Sequence, residues 1–531
     1  MLSIFQGCHG SDAYFIETGQ VQLFIDDFLI ESARNVHRTL HQPIKENGGR
    51  FPVIALEDEF KPYAATLEAN GTILYDPRLQ KYVMFALGYS VHGKSQDTRE
   101  NRWKYYRVYR FTSEDGLHWT KGDNGQPQWV FPRSRRDLFD PVSGTYATNI
   151  DVGSYFYDQN DSLYPYKGWQ HFSNWGDDRE GQYFLRSPDG IHWERGPLVV
   201  NAYGGKTDPT YRRFRYPGYT LVGPQDVTIF SYDPVGERFL GIFKFYSAEP
   251  LPSGNRVRSR AYAFFNHPLD QPFDIEQITH VDLIPPLKDT SSETRFDEYY
   301  GSTGWRYESL WLGGLKVYHQ KGDYPWSAAG CAFLRLIVSR DGLHWQKVDY
   351  PNEDGYHGIF IANGKEGGHN GQNDGGYLTE FSNPPLRIGD ELIFYYGCSS
   401  WGKNHPPERM MSGGGIFRAR LRLDGFVSVD TGTLTTRLLR TKENQKLTLN
   451  GVGPINVTLL DPNGRPIGQQ SIRGDSLRHR LFRNVPDLDK VLQHGFRLRF
   501  QVMPGGYLYA FRVEPETTPV AHESNLETIF H

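Results

Sequence analysis

Five acidic residues stand at related places along the chain, namely Glu68, Asp151, Asp226, Glu308 and Asp374. In the first three cases the acid precedes, by seven or eight residues, an Asp that ends an apolar stretch. Carboxylates brought together in a partly dry site repel one another, so one holds its proton while another stays ionised. Cleavage of a glycosidic bond needs that combination, a general acid beside a carboxylate base or nucleophile. The alternative is that these acids cap strands or pair with arginines.

A repeated turn motif indicates which elements would bring the acids together. Ser113-Glu-Asp-Gly-Leu-His-Trp119 recurs as Ser187-Pro-Asp-Gly-Ile-His-Trp193 and as Ser339-Arg-Asp-Gly-Leu-His-Trp345. The first two tryptophans lie 74 residues apart, and the next interval, 152 residues, is about twice as long. A degenerate copy fills the gap as Asn266-His-Pro-Leu-Asp-Gln-Pro-Phe273, and Leu423-Asp-Gly-Phe426 is a fifth. The sequence therefore contains five units of about 75 to 80 residues.

Each unit has the pattern of short strands joined by tight turns. Apolar stretches such as those at 155–158, 238–243 and 391–396 alternate with turn residues, and no helical periodicity separates them. Asp and Gly in the repeated motif supply the side-chain capping and the positive φ of a tight turn, and the aromatic residue that follows packs between sheets. Three or four strands in each of five units predict an all-β fold, a five-bladed β-propeller.

The periodicity stops after Asp430, and the rest of the chain predicts a second, small domain. Residues that alternate between apolar and polar predict four strands, at 446–450, 455–460, 496–502 and 507–513. Such strands form a small β-sandwich. The predicted organisation is an N-terminal segment at 1–20, the propeller at 21–435, the sandwich at 446–515 and a C-terminal tail at 516–531.

The first strand of each propeller blade lines a central funnel, so the five acids are expected to converge there. Aromatic and polar side chains of the same units are expected to contact a sugar, because the apolar face of a pyranose or furanose stacks on aromatic rings. A Trp on a propeller strand is more often part of the core, which favours the loop residues Trp175 and Trp401. The full set of candidate contacts is His171, Trp175, Trp305, Arg306, Trp311, His369, Asp374 and Trp401.

Composition argues against several functional classes. The formal net charge is -4, from 58 basic and 62 acidic residues, so neither a nucleic-acid partner nor membrane-surface binding is predicted. Three scattered cysteines do not make a disulfide framework or a zinc site, and neither a cofactor nor a catalytic metal is predicted. Met1 to Tyr14 has no recognisable secretory signal, which indicates a cytoplasmic location as the chain stands and an exported one if its N-terminus was trimmed.

The blade pattern, the Ser-x-Asp-Gly-x-x-Trp turns and the Asp, Asp, Glu series resemble the five-bladed glycoside hydrolases of families 32, 43, 62 and 68. The C-terminal sandwich is similar to the accessory sandwich of family 32. The resemblance implies that Asp151 is the base or nucleophile, Asp226 the transition-state stabiliser and Glu308 the general acid. The family 32 signature Asn-Asp-Pro-Asn-Gly is absent, and the Arg-Asp-Pro motif stands only as Pro224-Gln-Asp226-Val, so fructan specificity is not predicted.

The leading hypothesis is a glycoside hydrolase that acts on a furanoside or on side chains of a polysaccharide, with an oligo- or polysaccharide as its partner. Glu68 is the next acid to consider if Glu308 does not serve. A non-catalytic carbohydrate-binding propeller is one alternative. Another is a phosphorylase resembling family 130, which would need basic residues in the funnel to hold inorganic phosphate, and Arg306 is compatible with it. A propeller that serves as a protein-interaction scaffold is the third.

Overall fold

Short apolar strands and tight turns build nearly every element of the chain. The computed structural model describes residues 13–55, 66–89, 102–120, 128–173, 179–202, 211–249, 257–265, 269–285, 297–320, 330–368, 372–381, 384–403, 413–442 and 445–515. These fall into two compact units. Among the described residues, one unit comprises those within Gln42–Val348 and Gly358–Leu421; the other comprises residues 13–41, Asp349–His357 and those within 422–515.

The larger unit is the predicted five-bladed β-propeller. The four strands of blade 1 are Thr66–Asp76, Lys81–Tyr89, Tyr106–Ser113 and Gln128–Phe131. Those of blade 2 are Asn149–Tyr157, Tyr166–Ser173, Gly181–Ser187 and Glu194–Asn201. Blade 3 has Ile229–Asp233, Arg238–Ser247 and Arg258–Phe265, with a hairpin of Arg212–Tyr216 and Tyr219–Gly223 on its second strand. Consecutive strands of each blade pair in antiparallel register, with the first strand innermost.

Blades 4 and 5 each have an inner strand in two pieces. In blade 4 both pieces pair with the second strand, and the strands are Asp297–Ser302, Trp305–Tyr307, Leu310–Gln320, Gly330–Ser339, Trp345–Lys347 and Ile359–Ile361. Blade 5 consists of Leu378–Phe381, Leu386–Ile388, Glu391–Cys398 and Gly415–Arg422, with Ile44–Lys45 and Ile54–Ala55 as its outer strands. A short hairpin, Phe139–Asp140 with Thr145–Tyr146, and single 3-10 turns at Glu46–Gly49, Arg102–Tyr105, Arg135–Leu138 and Ile275–Gln277 complete the unit.

The repeated turn motif joins neighbouring blades. In its first copy the Asp115 carboxylate accepts hydrogen bonds from the backbone N–H groups of Leu117 and His118, each at 2.8 Å. The Trp that ends the motif packs on an aromatic ring of the adjacent blade: the Trp119 ring lies 5.5 Å from that of Tyr395. Trp193 and Trp345 make the same kind of contact, with Phe85 of blade 1 at 5.6 Å and with Tyr262 of blade 3 at 4.9 Å. In blades 1, 2 and 4 the motif therefore places an aromatic ring against the neighbouring blade.

The ring of blades closes between the two ends of the propeller sequence. The inner strands contact one another in blade order, and that of blade 5 contacts that of blade 1. Blade 5 takes its outer strands from Ile44–Lys45 and Ile54–Ala55, which precede blade 1 in the chain. Within this closure the Lys45 ammonium lies 2.5 Å from the Asp374 carboxylate, whose side chain has no exposed surface. Asp374, predicted to contact substrate, thus holds the closing strand instead.

Substituting Lys45 by Met is expected to lower the free energy of unfolding by about 3 to 5 kcal/mol, because it leaves the buried Asp374 carboxylate without its cation. Lys81→Met is the matched control, since the Lys81–Glu114 pair at 3.4 Å is exposed and of a kind that contributes about 1 kcal/mol or less. Urea denaturation of both variants measures the difference. Equal losses would show that the buried pair does not secure the closure.

The smaller unit is a nine-stranded antiparallel sheet, whose strands are Val21–Leu23, Ile30–Leu40, Val427–Thr436, Gln445–Val452, Ile455–Leu460, Pro466–Ile472, Asp475–Arg480, Arg497–Val502 and Tyr507–Pro515. The pair Tyr14–Phe15 with Leu439–Arg440 and the helix Leu488–His494 complete it. Phe24, Leu434, Leu449, Val457 and Phe500, from separate segments, share one buried core, so the sheet folds over on itself. No helix among the described residues is long and apolar enough to cross a membrane.

The bounds of this unit differ from the predicted domain bounds. The propeller was expected to begin at residue 21 and end at residue 435. In the structure Ile30–Leu40 pairs with Val427–Thr436, and the latter pairs with Arg497–Val502. Both segments therefore belong to the smaller unit, together with the predicted strands at 446–513. The predicted C-terminal tail at 516–531 lies outside the described residues.

Candidate functional site

Two of the predicted acids, Asp151 and Asp226, lie at the same end of neighbouring inner strands. Asp151 sits in the inner strand of blade 2 at a register shift between Ile150 and Gly153, and Asp226 just precedes the inner strand of blade 3. The buried side-chain amide of Gln170 donates to the Asp151 carbonyl. The Gln182 amide, also buried, donates to the Asp226 carbonyl at 3.4 Å. Both acids thus stand on backbone that is fixed by buried amides.

The two carboxyl groups have pKa values shifted in opposite directions. Burial raises the pKa of Asp151, and the negative charge of Asp226 raises it further. Burial would also raise the pKa of Asp226, but an ion pair with Lys244 and the charge of His171 outweigh it and hold that pKa well below its usual value. The Asp226 side chain is still 38% exposed, so a molecule in the funnel can reach it. The surroundings therefore drive the pKa values of the two carboxyl groups apart, upward for Asp151 and downward for Asp226.

A buried histidine, His171, lies close to Asp151 and Asp226. His171, on the second strand of blade 2, is fully buried, and its Nε2 lies 3.4 Å from a carboxylate oxygen of Glu180. Burial would lower the pKa of His171, but Glu180, Asp151 and Asp226 together raise it. The imidazole is consequently drawn toward its charged form, in which it counters the charge on the acids.

Next to Asp226 four basic side chains surround one tyrosine, and we name this group the Tyr300 cluster: Tyr300 with Lys244, Arg258, Lys316 and Lys403. The Lys403 ammonium donates a hydrogen bond to the Tyr300 hydroxyl at 2.9 Å. Lys244, Arg258 and Lys316 lie 5.1, 4.7 and 5.3 Å from the centre of its ring. Burial would raise the pKa of Tyr300, but Lys403, Lys244 and Arg258 lower it below the usual value for tyrosine. The cluster is thus a region of positive potential.

Further residues position the cluster. The Glu298 carboxylate, which is fully buried, forms an ion pair with Arg258. Arg260 is also fully buried; its guanidinium donates to the Val227 carbonyl at 2.9 Å and to the Tyr299 carbonyl at 3.3 Å. Because Val227 follows Asp226 and Tyr299 precedes Tyr300, this one side chain ties together the backbone beside both residues. Arg260 is therefore a positioning residue.

Of the basic residues of the site, only His171 was identified from the sequence; Lys244, Lys316, Arg258 and Lys403 were not. His171, Lys244 and Lys316 come from the second strands of blades 2, 3 and 4, and each residue is 6% exposed or less. The available signal was a single charged residue inside an otherwise apolar strand, as in Ile242-Phe-Lys-Phe-Tyr246. A strand that is buried on both faces contains a charged side chain only where another group pairs with that charge. Glu180, Arg258, Glu298, Tyr300 and Lys403 gave no comparable signal.

Glu308, expected to be the general acid, lies at the far end of its blade. It occupies the two-residue turn between Tyr307 and Leu310, with a φ of 53°. In register it corresponds to Asp158 of blade 2, which ends the inner strand, and not to Asp151. Lys316, at the Tyr300 end of the second strand, is six residues from Leu310, which corresponds to about 20 Å along a strand. Its position places Glu308 outside the site.

Three predicted sugar contacts share the hairpin that contains Glu308. Trp305 is 1% exposed and packs on Phe381 with ring centres 5.4 Å apart, so it belongs to the core. Trp311 is equally buried, and the Arg306 guanidinium lies 5.9 Å from the centre of its ring. None of the three is positioned to contact a sugar beside Asp151 and Asp226.

The remaining predicted residues differ in where they lie, and two of them are outside the described residues. Glu68 is buried on the inner strand of blade 1, next to a register shift like the one at Asp151. Trp401 is partly exposed in the loop that contains Lys403, two residues before it, and so belongs to the funnel side. Trp175 and His369 lie outside the described residues. The site therefore retains Asp151, Asp226 and His171 from the prediction, with Trp401 at its edge.

The sequence matches no protein-family model and none of the curated proteins with which it was compared. Several solved structures have a similar backbone. A family 130 glycoside hydrolase that targets β-1,2-mannosidic linkages is 13% identical, with a TM-score of 0.37, over 72% of this chain and 97% of that one. A glycosyl hydrolase from Bacteroides ovatus is 13% identical, with a TM-score of 0.39, over 73% and 97%.

A third similar structure is a family 43 arabinoxylan arabinofuranohydrolase from Bacillus subtilis, in complex with cellotetraose. It is 11% identical, with a TM-score of 0.34, over 90% of this chain and 99% of that one. All three structures are described as glycoside hydrolases, the class that the sequence motifs resemble. Because these TM-scores are below 0.5, the similarities do not indicate an activity for this protein. The function is therefore inferred from the site itself.

Proposed function

We propose that the propeller cleaves glycosidic bonds, with Asp151 as general acid and Asp226 as the ionised carboxylate. In this mechanism Asp151 donates its proton to the glycosidic oxygen as the bond to the leaving sugar breaks. Asp226 lies just before the neighbouring inner strand and acts either on an attacking water or directly on the positive charge that develops at the anomeric carbon. The family resemblance implied that Asp151 is the base or nucleophile, whereas this assignment makes it the general acid.

The observation that supports the proposal is the opposite electrostatic environment of two neighbouring acids. Asp226 pairs with Lys244, whereas Asp151 is half-buried beside the negative charge of Asp226. A glycosidase needs one acid protonated and one ionised at the same pH, and pKa values driven apart by the surroundings provide this. A non-catalytic sugar-binding propeller has no need for that difference.

The proposal is tested by measuring sugar release from a panel of glycosides and polysaccharides in phosphate-free buffer. The wild type is compared with the double variant Asp151→Asn, Asp226→Asn, which preserves the shape of both side chains and removes both carboxyl groups. Release by the wild type alone supports hydrolysis at this site. Release by both proteins, or only on addition of phosphate, contradicts it.

The pH dependence of kcat/KM is expected to be bell-shaped, with limbs spread further apart than two ordinary carboxyl groups would give. Activity requires Asp226 ionised, so it falls as pH drops through the lowered pKa of Asp226. Activity also requires Asp151 protonated, so it falls as pH rises through the raised pKa of Asp151. The two apparent pKa values of this profile describe the interacting pair of Asp151 and Asp226 together, and neither value belongs to one residue alone. Lys244→Met removes the cation that lowers the pKa of Asp226, so the loss of activity on the acidic side of the profile should occur at higher pH. An acidic limb at the same pH as in the wild type would contradict the assignment.

A further inference from the structure

Tyr300 occupies in blade 4 the place that Asp151 occupies in blade 2. The register of the inner strand shifts at Asp151 in blade 2, and in blade 4 it shifts between Tyr299 and Gly301. Each shift lies in the first half of its inner strand, at the end where the catalytic pair stands. Irregularities of this kind redirect a side chain and are frequent next to active sites. The backbone therefore places Tyr300 at the catalytic end of its blade.

Two lysines connect Tyr300 with the catalytic pair. The Lys244 ammonium forms the ion pair with the Asp226 carboxylate and lies 5.1 Å from the centre of the Tyr300 ring. The Lys403 ammonium donates a hydrogen bond to the Tyr300 hydroxyl at 2.9 Å. The charges of both lysines also act on Asp151, where they partly offset the rise in its pKa. The two acids, the two lysines and Tyr300 thus form one group that contains charges of both signs.

The Tyr300 hydroxyl is held in a fixed place and retains a hydrogen to donate. Its ring packs against those of Tyr318 and Tyr377, with centres 5.3 and 6.2 Å away. A phenolic hydroxyl both accepts and donates, and the Lys403 ammonium uses only its capacity to accept. In the part of the chain that the structure describes, the hydrogen bond of this hydroxyl is the one from Lys403. That bond also polarises the O–H group, which strengthens it as a donor.

A molecule in the funnel can reach this donor, because Tyr300 is half-buried. The neighbouring Asp226 carboxylate, with 38% of its side chain exposed, is an acceptor. A hydroxyl group accepts one hydrogen bond and donates another, so it matches a site with Tyr300 on one side and Asp226 on the other. A carbonyl or carboxylate oxygen of a ligand would match Tyr300 alone, since it only accepts.

We propose that Tyr300 donates a hydrogen bond to one hydroxyl group of the sugar at the scissile bond, and so determines which sugars the propeller accepts. This inference rests on the proposed function for the position of that bond, but binding is measurable without turnover. A site built around such a hydrogen bond rejects an analogue that lacks the hydroxyl, because the partly buried Tyr300 then has neither water nor the sugar as its acceptor. Sugars that differ at this one hydroxyl are thus distinguished at Tyr300.

The test is titration calorimetry on the Asp151→Asn protein, with methyl glycosides of arabinofuranose, galactose, glucose, mannose and xylose and all their monodeoxy analogues. We expect at least one glycoside to bind, and one of its monodeoxy analogues to bind about 5- to 100-fold more weakly, as loss of a hydrogen bond to a buried group predicts. With Tyr300→Phe added, this glycoside and that analogue should bind equally. Binding of none of the glycosides, or discrimination that Tyr300→Phe leaves intact at every position, overturns the proposal.

The pH dependence of the affinity distinguishes a donor from a residue that only packs. Ionised Tyr300 cannot donate, so the affinity should fall as pH rises through the lowered pKa of Tyr300. Tyr300→Phe should abolish this fall, and a fall that persists in it contradicts the role of donor. The variant keeps the other charged and titratable groups that face Tyr300, which are Lys403, Lys244, Arg258, Lys316, Asp226, Tyr318 and Tyr377.

Two more variants secure the interpretation. Lys403→Met removes the cation nearest the hydroxyl, so the pKa of Tyr300 should rise and the fall in affinity should occur at higher pH. It also replaces Tyr300→Phe if thermal unfolding shows that the latter disturbs the fold, and an unmoved fall then overturns the proposal. Tyr232→Phe is the matched control, because Tyr232 is 42% exposed at the opposite end of the inner strand of blade 3. It should leave affinity and discrimination unchanged.

Turnover separates this inference from the proposed function. If the Asp151→Asn protein discriminates through Tyr300 while the wild type cleaves no glycan, the proposed function fails and the contact stands. If the wild type cleaves a glycan and Tyr300→Phe discriminates among the monodeoxy analogues as the wild type does, the proposed function stands and this inference fails.

Discussion

Asp151→Asn is expected to lower kcat by about 10²- to 10⁴-fold on a glycan substrate, the usual contribution of a general acid. The amide has the size of the carboxyl group but cannot give a proton to the departing oxygen. The Gln170 amide holds the Asp151 backbone through its carbonyl, so the fold around the position should survive. Initial rates at saturating substrate, with thermal unfolding as a check of integrity, measure the effect.

The matched control for this variant is Glu308→Gln. Glu308 lies in a turn at the opposite end of its blade, so we expect kcat to remain within about twofold of the wild type, as for surface substitutions away from a site. The family resemblance of the sequence implies the reverse result, with Glu308 as the acid. If Glu308→Gln loses activity while Asp151→Asn retains it, the site described here is wrong.

Asp226→Asn is expected to lower kcat/KM by about 10³-fold or more, because it removes the ionised carboxylate that serves the developing positive charge or the attacking water. It also leaves the Lys244 ammonium, which is 7% exposed, without its partner. Substrate binding should change less than kcat, since the carboxylate acts on charge that forms in the transition state. Separate determination of kcat and KM checks this distinction.

Asp158→Asn provides the comparison for Asp226. Asp158 ends the inner strand of blade 2 and forms an ion pair with Lys167 at 2.5 Å, on the side away from the catalytic pair. Losing this partly exposed pair should cost about 1 kcal/mol of stability or less and leave the rate unchanged. Comparable rate losses in Asp158→Asn and Asp226→Asn would indicate a general effect on the propeller, and the role of Asp226 would then fail.

The sequence was sufficient to predict the propeller because its blades share one local device. The Ser-x-Asp-Gly-x-x-Trp turn is a contiguous motif, and its capping hydrogen bonds and inter-blade aromatic contact are visible in the residue types alone. The domain bounds were not predictable in this way. Ile30–Leu40 pairs with a strand almost four hundred residues further along the chain, and nothing local in either segment specifies that partner.

The candidate site was predictable only where the blades are regular. Counting back from the Asp at the end of each inner strand located Asp151 and Asp226, because in these two blades the inner strand is not split into two pieces. In blade 4 the inner strand is split after Ser302, and the turn acid Glu308 was taken for the funnel acid. Lys244 and Lys316 were missed because their burial depends on neighbouring blades, which a single strand pattern does not contain.

The measurement that tests the central claim most directly compares two aryl glycosides of one sugar, with a poor and an activated leaving group. A general acid matters when the departing oxygen needs a proton and hardly matters when it leaves readily as an anion. If Asp151 donates the proton, Asp151→Asn should slow release of the poor leaving group by about 10²-fold or more and release of the activated one by less than about tenfold. Equal losses on both substrates would contradict the assignment of Asp151 as the proton donor.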